Sequence, residues 1–508
     1  MSLRSVRPWA VVLASMVVAG CLAETPVDTQ SIQTPQAPTL AEGVRVHLAN
    51  GLAPVALPSL PAIASVWRDL GHDAVEPTLG VTSKGTIFYA AVNWATGATD
   101  VLRSRDGGIT WEDVSPRLPT GHNVPPETGD PYVWVDPDTD RVFTFDMFPA
   151  LACGVLSWSD DEGASWTTQP LACATPPPYD HQTLTTGKPR SVATRGYPNV
   201  VYQCVNRVSD SICARSLDGG LTWSPGTPVF LGVDPSLLPP SPERPLGAFC
   251  GGLHGHLVAS PDGTLYLPRE YCGRPFVGIS TDDGATWTRV QVSDVAASSG
   301  PDPAVAVDEE GNVYYTWVHP GGLLYVAVSR DQGRTWSEPF VASPAEVTAT
   351  HLPAIAAAAK GHVVIAYAGT ETLPGGYDNE EFSKPASQRP ADGAINSATW
   401  NGYLAVLTDA LSSEPTIVTV TVNDPADPLV RGYCGPGRCP GMYDFIDVVI
   451  GPDGRPYAGF VDACVGECAG PEGTYQQSQG RAQGRAGALV ALAQGPNLRA
   501  PGILDGWT

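Results

Sequence analysis

Five copies of one short pattern, Ser-x-Asp-x-Gly-x-x-Trp, constrain the fold of this chain more than any other feature. They are Ser104-Asp106-Gly108-Trp111, Ser159-Asp161-Gly163-Trp166, Ser216-Asp218-Gly220-Trp223, Ser280-Asp282-Gly284-Trp287 and Ser329-Asp331-Gly333-Trp336, with starts 55, 57, 64 and 49 residues apart. Each follows a β-type run, and a period of this size predicts an all-β propeller of four-stranded blades. The Gly supplies the positive φ of a tight hairpin between the two outer strands of a blade. The Ser and Asp side chains are expected to bind backbone amides that the turn leaves unpaired. The Trp is expected to pack between blades. None of the five aspartates is therefore counted as a catalytic group.

Innermost strands are predicted to open at Glu76, Asp130, Lys188, His254, Asp302, His351 and Asp444, each run β-branched and aromatic and divided by turn residues. Seven openings predict seven blades, the last two without the pattern; six blades is the alternative. The segment from Val44 to Asp69 is expected to add a strand beside the C-terminal Gly487–Gln494 run and so close the ring. Gly369 to Thr399 and Gly470 to Gly487 are expected to be long loops within blades. Residues 44–508 form one domain in this reading.

The N-terminus carries Arg4 and Arg7, an apolar run from Pro8 to Val18, then Val18-Ala19-Gly20-Cys21. This resembles the bacterial lipoprotein signal: residues 1–20 are removed, Cys21 is acylated and 21–43 form a flexible tether. An ordinary secretory signal is the alternative. The expected location is the cell envelope, at the outer membrane or cell surface, with membrane contact through the lipid alone. Eleven cysteines less Cys21 leave ten, an even number suited to an oxidising compartment. Sequential neighbours give the expected pairs Cys153/Cys173, Cys204/Cys213, Cys250/Cys272, Cys434/Cys439 and Cys464/Cys468. The formal charge of −23 repels nucleic acid and anionic headgroups, and a monomer is expected.

The repeated pattern is the Asp-box, or BNR repeat, and the chain resembles the sialidase-like propeller superfamily. The resemblance implies a glycan as ligand. A catalytic sialidase also needs three arginines, a Tyr nucleophile activated by Glu, and an Asp acid/base, with the first arginine in a Phe/Tyr-Arg-Ile-Pro motif. That motif is missing here; the nearest upstream arginine is Arg68. Arg190, Arg244 and Arg274 could approach the face where a site would lie, but nothing in the sequence ties them together.

In a propeller the innermost strands start on one face, opposite the Asp-box turns. The five expected disulfides would all brace that face. Glu76, Asp130, His254, Asp302, His351 and Asp444 occupy nearly equivalent positions and should ring the mouth of the central channel. Tyr179 and His181 precede the predicted opening of blade three and could reach the same funnel. His254 and His256 share one strand face. Candidate catalytic residues are Asp130, His181, His254, His256, Asp302 and His351; candidate binding residues are Glu76, Tyr179, Arg269, Glu270, Tyr271 and Asp444. Such a ring suits acid/base chemistry on a glycan, by hydrolysis or by a polysaccharide-lyase route, and it also suits a divalent cation in the channel. The competing reading is a non-catalytic surface propeller that binds glycans or a surface protein.

Overall fold

In the computed structural model, each innermost strand packs against the next, and the last packs against the first, so the chain closes into a ring of seven blades. The structure describes residues 45–49, 66–93, 98–116, 130–148, 153–171, 180–206, 210–230, 252–439, 441–442, 444–470, 473–474 and 489–499. The signal and tether expected over 1–43 lie outside these residues. Among the described residues no helix is long and apolar enough to cross a membrane.

Blades one to five each consist of four antiparallel strands in sequence order. Their innermost strands are Val75–Val81, Pro131–Val135, Asp180–Gly187, Val258–Ala259 and Ala304–Val307. Blades six and seven start at Ala349–Ala357 and Asp447–Ile450, and neither carries the Ser-x-Asp-x-Gly-x-x-Trp pattern.

One predicted opening is displaced. Blade three begins at Asp180, not at Lys188, and Lys188 to Asn199 is the connection to its second strand. The run Asp180–Gly187 is rich in Thr and ends in Gly, so it lacks the apolar alternation that marks the other strands. It nevertheless pairs with Val200–Asn206 along its length.

Ring closure also differs in detail from expectation. Val66–Asp73 pairs with Leu489–Gln494 as the outermost strand of blade seven. The earlier piece, Arg45–Leu48, pairs instead with Thr416–Thr421 at the outer edge of blade six. The N-terminal segment therefore covers the edges of two adjacent blades, which removes exposed strand edges that would invite association. Gly369 to Thr399 is a compact excursion of 3-10 turns and one short helix between the second and third strands of blade six.

The Asp-box turns have the expected chemistry with one addition. In each box the Ser hydroxyl donates to the Asp at 2.8–2.9 Å and accepts from the Gly amide at 2.7–2.9 Å. The Asp also takes both the amide and the hydroxyl of the residue just before the Trp: Thr110, Ser165, Thr222, Thr286 and Thr335. A hydroxyl in all five copies was the available signal for this. The indoles pack at blade boundaries, Trp111 with Tyr89 and Leu492 and Trp336 with Tyr266 and Tyr315.

Candidate functional site at the channel mouth

Three innermost strands begin with a β-bulge: between Val75 and Thr78, between Asp180 and Gln182, and between His351 and Ala354. At each bulge a non-glycine residue adopts a left-handed backbone: Glu76 at φ 57°, His181 at 45° and Leu352 at 51°. A bulge re-aims a side chain, and a left-handed non-glycine residue is held only by its surroundings. In blades one and three the strained residue is an ionisable group at the mouth.

His181 is the centre of the site. Its imidazole lies edge-on to His254 (ring centroids 5.4 Å) and stacked on His256 (5.8 Å, planes at 23°). Phe445 caps both His181 and His256, and Tyr132 meets His256 edge-on. Nδ1 of His181 is 3.2 Å from Oδ2 of Asp302. Burial holds His181 well below the usual imidazole range, and the neighbouring imidazoles add to this. Burial also raises the Asp302 carboxyl well above its usual value, with Asp444, Asp180 and Asp130 contributing. Both partners are thus driven towards their neutral forms, and the approach is a close contact without a hydrogen bond: among the described residues, both ring nitrogens of His181 and both carboxyl oxygens of Asp302 are buried without a hydrogen-bond partner.

Four further carboxyls converge on the same place. Asp130 accepts the backbone N–H of His181 at 2.9 Å, and its carbonyl oxygen accepts from the Gln182 amide. Burial, then Asp180 and Asp444, raise Asp130 to about 7. Glu76 is raised well above its ordinary value by burial, Asp130 and Asp444. Asp444 is raised to about 6 by burial, against the opposing pull of Arg438. Asp180 is raised in the same sense. Below the mouth, innermost-strand residues of all seven blades enclose a cavity of about 100 Å³, room for about three waters. Any ligand larger than a few waters must therefore meet the ring from above rather than enter the channel.

His254 is fully buried, its Nδ1 2.8 Å from the carbonyl of Gly255, and burial lowers it to about 3. His256 sits 3.8 Å from Asp447, whose carboxylate also accepts the amides of Leu79 and Val448. Asp447 was missed by the sequence reading, although it stands three residues after Asp444 in the same run. His351 is buried in blade six against the backbone of Gly435 and lowered to about 3, apart from the other imidazoles. Arg269 is 3 % exposed, bonds Ser211 at 2.9 Å and lies over Phe230 and Tyr271. Glu270 accepts from the Gly273 amide, and Tyr271 stacks on Phe230. Arg269 is thus committed to internal partners. Tyr179 lies outside the described residues.

The remaining arginines do not assemble. Arg68 sits on the outermost strand of blade seven, opposite Leu492. Arg190 is on the opposite face, held by Asp262 and by its backbone contact with the box residue Asp283; the expectation that it approaches the mouth is overturned by its place in the connection below blade three. Arg244 lies outside the described residues. The cation that reaches the ring is Arg438, 2.9 Å from Asp444, which the sequence reading did not single out.

Three disulfides brace this face: Cys204–Cys213, Cys434–Cys439 and Cys464–Cys468. Cys272 is also disulfide-bonded. Cys173 and Cys250 lie outside the described residues, so the pairs Cys153/Cys173 and Cys250/Cys272 are not described. Among the described residues no group of three or more His, Cys, Asp or Glu is arranged to hold a metal ion.

Residues 202–372 match the BNR repeat-like domain. A xyloglucanase from a Paenibacillus species is 26% identical over 305 residues, covering 53% of this chain and 27% of that protein. A sialidase from Bacteroides fragilis is 24% identical over 287 residues, covering 52% of this chain and 42% of its own length. The chain thus spans less than half the length of these relatives. Among solved structures, the intramolecular trans-sialidase from Ruminococcus gnavus aligns over 85% of this chain and 98% of its own, with 15% identity and a TM-score of 0.40.

Proposed function

We propose that this chain, a BNR-repeat propeller of the sialidase-like type, cleaves glycans by hydrolysis at the mouth of its central channel. The observation that carries this reading is the convergence of Glu76, Asp130, Asp180, Asp302 and Asp444 on one mouth, where burial and mutual repulsion separate their protonation. Asp130 at about 7 and Asp444 at about 6 sit within electrostatic reach of one another. Near neutral pH one carboxyl of such a set keeps its proton while another is ionised. Glycosidic cleavage needs both: an acid for the leaving oxygen and a carboxylate as base or nucleophile. Relatives named xyloglucanase and sialidase support a glycan as the substrate class.

Hydrolysis is favoured over a lyase route, which needs cations around a uronate; here five carboxyls face Arg438 and the internally bonded Arg269. A sialidase-type clamp of three arginines is likewise unsupported among the described residues. The roles are Asp130 and Asp444 as the acid and base pair, with Glu76 and Asp302 holding their protonation. His181 packs against Asp302. Export and lipid attachment through Cys21 belong to this proposal on the strength of the N-terminal sequence, as does the monomeric state.

The test incubates the full chain with neutral, sialylated and uronate-containing oligosaccharides and quantifies new reducing ends and unsaturated products. Reducing ends that fall by about 10²-fold or more in Asp130→Asn and Asp444→Asn support hydrolysis at the ring. Unsaturated ends would replace hydrolysis by elimination. No release by a folded protein that still retains a glycan on a column would replace catalysis by binding.

A further inference from the structure

The hairpin closed by Cys434–Cys439 is seated across the mouth. The Gly435 amide donates to the Arg438 carbonyl at 3.0 Å, making a tight turn. The Ser298 hydroxyl, just before blade five, donates to the Pro436 carbonyl at 2.9 Å. Gly300 lies so near that a Cβ there would stand 2.2–2.4 Å from Pro436 and Gly437 backbone atoms. On the blade six side, His351 faces Gly435. The hairpin thus bridges blades five and six ahead of blade seven, and its one cation, Arg438, points to Asp444.

We propose that Arg438 is the positioning residue of the mouth: carried on the disulfide-closed hairpin, its guanidinium pairs with Asp444 and fixes that carboxyl within the ring. The role assigned to Asp444 rests on the hydrolytic reading above; the placement of Arg438 does not. Every blade but one places an ionisable group within reach of this guanidinium or against its hairpin. Glu76 comes from blade one, Asp130 from blade two, Asp180 and His181 from blade three, Asp302 from blade five, and Asp444 from the start of blade seven. His351 of blade six touches the hairpin itself, while His254 and His256 of blade four act through His181. Arg438 opposes the raising of all five carboxyls and the protonation of His181. A single exposed cation therefore opposes, for every one of these carboxyls, the rise that burial imposes.

The arrangement also explains the disulfide. A free arginine on a flexible loop would average over many rotamers and stand off in water. A short covalent hairpin, clamped at Ser298 and Gly300, restricts where the guanidinium can lie.

The test follows the side-chain carboxyl resonances of Asp444 and Asp130 against pH in the ¹³C-labelled full chain, without substrate, assigned with Asp444→Asn and Asp130→Asn. In Arg438→Gln both midpoints are expected to rise, that of Asp444 by about 1 pH unit. Arg438→Lys is expected to restore most of the change. Cys434→Ser/Cys439→Ser, which keeps the arginine, is expected to give an intermediate rise. Unchanged midpoints in Arg438→Gln overturn the proposal even where glycan cleavage is observed. A shift without cleavage on any glycan upholds the proposal and removes the hydrolytic reading.

Discussion

Nδ1 of His181 and Oδ2 of Asp302 meet at 3.2 Å, joining blades three and five over the His254 and His256 of blade four. Neither residue is within one hundred positions of the other in the chain, and His181 reaches the contact only through a left-handed backbone at a bulge. The pair links a strained strand opening to a carboxyl that burial pushes well above its usual range.

Because the strain sits at His181, its replacements should differ by backbone preference and not by size alone. Asn tolerates a left-handed φ, whereas a β-branched residue does not. His181→Val is expected to cost about 1–3 kcal/mol more than His181→Asn, measured by urea unfolding at pH 7. Equal costs would show that the bulge relaxes freely.

Stability should depend on pH through Asp130. Its carboxyl titrates at about 7 in the folded protein and near 3.9 when unfolded. The folded state therefore holds a proton that the unfolded state has lost, and this contribution disappears as pH rises from about 4 to about 7. Asp130→Asn keeps an acceptor for the His181 amide and removes the titration. The variant should gain on the order of 1–3 kcal/mol over the native protein at pH 8 but not at pH 4.5, read from denaturant midpoints. A gain of the same size at both pH values would refute the assignment. His254 and His351, lowered to about 3, act in the opposite direction: their contribution is lost as pH falls below about 6.5 towards 3.

The boxes should be separable from the site. Asp218 takes two bonds from Thr222 and one from Ser216, on the face away from the ring. Asp218→Ala is expected to cost about 1–2 kcal/mol while leaving the carboxyl titration midpoints of the ring unmoved. The Asp161 carboxyl, held at about 2 by Ser165 and Ser159, adds stability that is complete above about 4 and lost as pH falls through about 2. The boxes therefore survive mild acid.

Gly300 offers a test of the hairpin that touches no ionisable group. An alanine Cβ would collide with the backbone of Pro436 and Gly437, so the hairpin must move away. Gly300→Ala is expected to raise the Asp444 titration midpoint in the manner of the double Cys→Ser variant. A well-folded Gly300→Ala protein with a native midpoint would show that the clamp does not set the reach of Arg438.

The blade count and the box turns were legible in the sequence, because each rests on short-range order. Ser104, Asp106, Gly108 and Trp111 act within eight residues, and a strand such as Val313–Val318 announces itself by its apolar residues. Asp180–Gly187 was placed wrongly because its pairing comes from the neighbouring strand rather than from its own side chains. Glu76, Asp130, Asp302 and Asp444 could be named from equivalent positions, since a propeller repeats the same geometry in every blade.

What the tertiary structure alone decided is which of these groups share a field. His181, a candidate by sequence, reaches Asp302 only because the bulge turns it there, and His351, equivalent by position, stands apart. Arg438 had no motif to mark it; its importance comes from a hairpin clamped by residues some 140 positions earlier in the chain. Local order sets strands and turns through nearest-neighbour sterics and hydrogen bonds. The protonation of a buried ring is a sum of Coulomb and desolvation effects over all seven blades, and that sum exists only once the ring has closed.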